Sequence, residues 1–77
     1  MNIVIAKTLD LKGLVCPLPI VKTAQAMKEL KAGEVLEALA TDPGSVPDFM
    51  AWCTSTGNEL IERTEQDGIH RFLVRKR

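Results

Sequence analysis

Cys16-Pro17-Leu18-Pro19 joins a chemically versatile side chain to two prolines. It sits where a run rich in β-branched residues gives way to a run with helical spacing. A thiolate is a nucleophile, and it forms most readily at a helix N-terminus, where unpaired N–H groups and the positive end of the helix dipole favour negative charge. The residue before a proline is driven toward extended geometry, which suits an N-cap. Pro17 fits the first helical position, where a missing N–H costs nothing, and Pro19 either shares that first turn or itself begins the helix. Both starts place the Cys16 sulfur within a turn of the helix end, with the amides of Leu18 and Ile20 as the surviving donors. The expectation is an exposed, nucleophilic sulfur with a lowered pKa, supported by Pro17, Leu18, Pro19 and Ile20.

The second cysteine, Cys53, lacks the C-x-x-C spacing to Cys16 that a redox or zinc pair would show. It completes an apolar stripe with Val46, Phe49 and Met50, and reads as a buried structural thiol. Asp42 follows the second strand-like run and should lie near Cys16, as a turn residue or as a partner contact and proton acceptor beside the sulfur. Trp52 falls off the stripe and is expected at a partly exposed edge, packed there or anchoring a partner. His70 is the single histidine, so a zinc site would be short of ligands and no metal is expected.

The elements that must position Cys16 follow from pattern. Ile3–Leu9 reads as a strand ended by Asp10-Leu11-Lys12-Gly13. Ile20, Ala24, Met27 and Leu30 recur at helical spacing, with Gly33 as the stop. Glu34–Thr41 has helical propensity but is eight residues long between Gly33 and Asp42-Pro43-Gly44, so length favours a strand. Ser45 reads as the N-cap of a second helix, with Pro47 in the first turn and Asp48 completing a capping-box pattern. Gly57 or Asn58 ends it. Glu59–Glu65 and Ile69–Arg75 flank Gln66-Asp67-Gly68, a hairpin signal. The order β-α-β-α-β-β predicts an α/β (α+β) two-layer sandwich, a four-stranded mixed sheet with both helices on one face.

Seventy-seven residues, 45% apolar and 4% aromatic, fit one domain over 1–77 with a thin aliphatic core. Ten basic and ten acidic residues cancel, which argues against nucleic-acid binding and an anionic membrane surface. Arg75-Lys76-Arg77 reads as a solvated, fraying tail. The chain shows neither a signal-peptide pattern nor a membrane-length apolar run, so a cytoplasmic protein with reduced thiols is expected.

"LDLKGLVCPLPIVKTAQAMKEL", then "DPGSV", "WCTSTGNELIE" and the terminal "RFLVRKR", resemble the TusA/SirA-like sulfur-carrier family over nearly the whole chain, Lys7 to Arg77. The resemblance implies the sheet order 1-2-4-3. It also implies a persulfide formed covalently on Cys16 as the only cofactor-like group. Its implied partners are a protein donor, a cysteine desulfurase or rhodanese, and a protein acceptor. The acceptor would serve tRNA thiolation, molybdenum-cofactor supply or sulfur oxidation. The chain would be a carrier with sulfurtransferase-like chemistry rather than a free-standing enzyme. Some thiolation carriers have a basic residue at the place of Val15 and an acidic one at Leu18, so the rim around Cys16 is more apolar here. Two rival classes are a thiol redox protein, which needs a resolving cysteine near Cys16, and a small binding or regulatory module without sulfur chemistry. An RNA-binding module lacks its usual aromatic stacking residues.

Overall fold

The computed structural model describes residues 3–77, leaving Met1 and Asn2 of the expected 1–77 domain outside the described residues. Six elements follow one another: β1 (Ile5–Leu11), α1 (Leu18–Met27), β2 (Val35–Ala40), α2 (Ser45–Thr56), β3 (Glu59–Gln66) and β4 (Ile69–Arg75). The sheet order is β1-β2-β4-β3. β1 and β2 run parallel, from Ile5 opposite Val35 to Leu11 opposite Ala40. β4 is antiparallel to both β2 and β3. This is the expected two-layer sandwich.

β2 lies between β1 and β4, which explains why pairing and burial override its helical propensity. Leu36, Ala38 and Ala40 alternate along it, each fully buried. Across the β2–β4 ladder Leu36 faces Val74 and Ala38 faces Phe72. The small Ala38 leaves room for Phe72 to stack on Phe49 of α2, with ring centroids 4.1 Å apart and planes 5° from parallel. On the sheet's other face Glu37 bonds to Arg71 and Thr8, which hold its carboxyl below the usual carboxylate range despite partial desolvation.

Several boundaries move relative to expectation. β1 runs on through Asp10 and Leu11, because Leu11 is only 2% exposed and pairs with Ala40. α1 stops at Met27, not near Gly33. Its end tightens into three-residue turns, with the Lys28, Glu29 and Leu30 amides bonding to Gln25, Ala26 and Met27 carbonyls. Its buried face is Pro19, Thr23, Ala26 and Met27, one position round from the apolar stripe. Thr23 fits there because its hydroxyl donates to the Pro19 carbonyl at 2.8 Å, leaving no unpaired group in the core. On α2, Met50 is 51% exposed rather than sheet-facing, while Phe49 and Cys53 are buried. Gly57 ends α2 in the left-handed region, as expected.

The basic terminus is docked, not frayed. Lys76 exchanges backbone hydrogen bonds of 2.8 Å with Gly33 and Glu34. The Arg77 amide donates to Asn58 Oδ1 at 2.9 Å. No helix among the described residues is long and apolar enough to cross a membrane.

Candidate functional site

Parallel pairing brings the C-terminal ends of β1 and β2 to one edge, and both helices begin there. The loop from β1 to α1 is tied to the end of β2 by two consecutive residues. The Gly13 amide donates to the Thr41 hydroxyl at 2.9 Å, and the Cys16 amide donates to Asp42 Oδ2 at 2.7 Å. The other Asp42 oxygen accepts the Gly44 amide at 3.3 Å. The Asp42 carbonyl takes both the amide and the hydroxyl of Ser45, at 3.0 and 2.6 Å. Asp42 is therefore a turn residue and a clamp on Cys16 at once.

α1 begins at Leu18 with Pro17 as its N-cap and Pro19 as its second residue. Cys16 thus stands one residue before the cap, and its peptide bond to Pro17 is cis. Cys16 and Pro17 are exposed, Ile20 is half-buried, and Pro19 is buried in the helix–sheet layer. The flanking apolar side chains stay in solvent, Val15 at 64% and Leu18 at 44% exposure. An apolar rim around the sulfur is what these residues make.

The electrostatics reverse the expectation. The Leu18 amide donates to the Val15 carbonyl at 2.9 Å. It is spent inside the loop rather than aimed at the sulfur. The Cys16 thiol instead donates to Asp48 Oδ2 at 2.5 Å, from the first turn of α2. That bond raises the thiol pKa above its ordinary value, followed by desolvation, the Asp48 charge and the Asp42 charge. A helix end offers about half a positive charge spread over several donors, whereas Asp48 is a full negative charge in contact with the sulfur. The carboxylate wins. Free Cys16 is a hydrogen-bonded thiol, not a resting thiolate.

Asp48 is the residue the sequence reading missed in this role. Its place in a capping-box pattern drew attention to the backbone of its own helix, yet Gly44 is the N-cap, without a side-chain cap bond. Ser45 turns back to Asp42 instead. The available signal was topological: an acid in the first turn of α2 lies at the same edge as Cys16. A Cβ at Gly44 would sit 3.3 Å from Asp42 Oδ2, close enough to displace that carboxylate by a few tenths of an ångström, and 3.5 Å from the Cys16 Cβ, an ordinary contact. Trp52 does not join this site. It packs its edge on Phe49 and lines a groove with Met27, Lys28 and Thr56 at the opposite, C-terminal ends of the helices.

The fold and site define a small two-layer α/β protein that presents one thiol from a clamped strand-to-helix loop. The family model described as Sulfurtransferase TusA matches residues 7–76, and the chain belongs to that family. It is 49% identical to the Bacillus subtilis protein YrkI over 70 residues, 91% of this chain and 93% of that one. It is 48% identical to the sulfur carrier protein TusA of Allochromatium vinosum over 68 residues, covering 88% and 90% of the two chains. The crystal structure of the SirA-like protein from Desulfitobacterium hafniense superposes with a TM-score of 0.81 at 28% identity, covering 90% of this chain and 95% of that chain.

Proposed function

We propose that this protein is a sulfur carrier that receives a sulfane sulfur on Cys16 as a persulfide and hands it to a protein acceptor. The observation that carries the reading is the exposed Cys16 thiol on a loop fixed through its own amide to Asp42. A carrier needs access and a fixed sulfur more than a substrate pocket. The Cys16 sulfur attacks the outer sulfur of the donor's persulfide. The donor's S–S bond breaks, a new S–S bond forms at Cys16, and the Cys16 proton ends on the donor's leaving thiolate. Net oxidation is zero, so no external oxidant is required. Passage to an acceptor thiol repeats the exchange.

Donors of suitable chemistry are a cysteine desulfurase or a rhodanese. Acceptors belong to relays for tRNA thiolation, molybdenum-cofactor supply or sulfur oxidation, and a reducing cytoplasm would keep both thiols free. A thiol-redox role is disfavoured because Cys53 is buried on the sheet-facing side of α2. Intact mass after mixing with a cysteine desulfurase, cysteine and pyridoxal phosphate separates the classes. A gain of one sulfur atom is the expected result. An internal disulfide would favour redox chemistry, and a mass unchanged both with this donor and with a persulfidated rhodanese would favour a binding module; either overturns the carrier reading.

A further inference from the structure

Two carboxylates flank Cys16, Asp42 from the β2–α2 turn and Asp48 from α2, and neither has a cationic partner among the described residues. The ion pairs present join Lys7 to Glu29, His70 to Glu65, Arg71 to Glu37 and Glu62, and Arg75 to Glu59. The first turn of α1, Leu18–Val21, carries no charge. Five large apolar side chains are notably exposed among the described residues, and three of them lie in the Cys16 loop or in the first turn of α1 that follows it: Val15, Leu18 and Val21. Leu18 and Val21 are three apart on α1 and so share a face. The surface around the sulfur is an acidic centre with an apolar margin.

A protein docking there removes water from that centre. An uncharged partner would bury two unpaired carboxylates, which is costly, and would hold the thiol proton still more firmly. A cation removes both difficulties, and its attraction for a carboxylate strengthens as water leaves.

We propose that the sulfur donor presents a lysine or arginine side chain within an apolar surround, which draws Asp48 away from the Cys16 sulfur as it docks, so that Cys16 accepts sulfur only with that partner in place. This rests on the carrier reading above. The transfer itself is the balanced exchange already given: the Sγ–H bond breaks, the Sγ–S bond forms, the donor's S–S bond breaks, and the proton follows the electron pair to the donor thiolate. Asp48 is then a brake toward small reagents and a docking contact toward the protein donor.

Those two roles predict opposite signs for one substitution. Asp48→Asn keeps the shape and removes the charge. With iodoacetamide the free variant should alkylate at Cys16 several-fold faster than wild type near pH 8, because the carboxylate that holds the thiol proton is gone. With a protein persulfide donor, a cysteine desulfurase or a rhodanese, whichever loads wild type, the variant should load several-fold more slowly at limiting donor, through a raised KM. Wild-type loading should fall as salt rises from about 0.05 to 0.5 M, because screening shortens the reach of the carboxylates. The variant's loading should be nearly flat, and Asp48→Glu should restore the salt dependence. Acceleration of both reactions would make Asp48 a brake without a docking role. Slowing of both would make it only a support for the loop. Either pattern, or wild-type loading insensitive to salt, overturns this proposal while leaving persulfide on Cys16. Failure of wild type to gain sulfur from both donor types would overturn the carrier reading instead.

Discussion

Cys16 and Cys53 are one residue type in two settings, and both hold their protons more tightly than an ordinary thiol. The causes differ. Cys16 is exposed, and a carboxylate in contact with its sulfur does the holding. Cys53 is 6% exposed on α2, and burial alone pushes its pKa up to about 11. A carboxylate can be drawn off by a docking cation, whereas burial is relieved only by opening the core. The same direction of shift therefore means a reversible restraint at one cysteine and inertness at the other. A raised thiol pKa is no mark of function until its cause is known.

The widest expected separation is in reactivity. In the native protein iodoacetamide should modify Cys16 at least about a thousandfold faster than Cys53, since Cys53 reacts only through unfolding that costs about 5 kcal/mol or more. Peptide mapping after timed alkylation measures it, and comparable rates would erase the distinction. Phe49→Ala should narrow the gap, because Phe49 is fully buried against Phe72 and its truncation costs about 3–5 kcal/mol.

A smaller effect sharpens the role of Cys53. Cys53→Ala should cost about 1 kcal/mol in chemical denaturation and leave sulfur loading intact. The pH dependence follows from the raised folded pKa. Protonated Cys53 contributes its full stability below the ordinary thiol value of 9.0, and that contribution is lost as pH rises toward about 11. The alkaline decline between those values should be shallower in Cys53→Ala than in wild type. Equal slopes would show that Cys53 does not govern that limb.

The smallest effect concerns the clamp. Gly44→Ala keeps an allowed φ of −65° but sets a Cβ 3.3 Å from Asp42 Oδ2. The Asp42 carboxylate should shift by a few tenths of an ångström. Stability should change by less than about 1 kcal/mol, near the usual difference between glycine and alanine at an N-cap. The alkylation rate of Cys16 should move two- to threefold by the same test, about 0.5 kcal/mol in the barrier. An unchanged rate would show that the Asp42 bond does not set the position of the sulfur.

The architecture was legible because its signals were local and mutually consistent. Gly57 or Asn58 marked the end of α2, Asp67-Gly68 marked the hairpin, and Glu34–Thr41, only eight residues long, favoured a strand. Asp42 beside Cys16 followed from parallel strands ending at one edge. What escaped depended on three-dimensional partners. Thr23 and Ser45 look like surface residues until the Pro19 and Asp42 carbonyls are seen to receive their hydroxyls. Lys76 looks like a free charge until its ammonium is seen donating to the Leu30 carbonyl at 2.5 Å and its backbone pairing with Gly33 and Glu34. Asp48 was hidden in the same way. Its sequence neighbours suggested a helix-capping acid, and only the packing of α2 beside the β1–α1 loop turns its carboxylate onto the sulfur.

The most direct test of the central claim is intact mass after donor treatment of wild type, Cys16→Ser and Cys53→Ser, each first checked for native circular dichroism. Serine at position 16 keeps a small polar side chain and the backbone amide that Asp42 holds, but its hydroxyl cannot carry a sulfane sulfur. Wild type and Cys53→Ser should each gain one sulfur atom, removable by dithiothreitol, and Cys16→Ser should gain none. A persulfide retained in Cys16→Ser, or lost in a folded Cys53→Ser, would contradict the assignment of the carrier sulfur to Cys16.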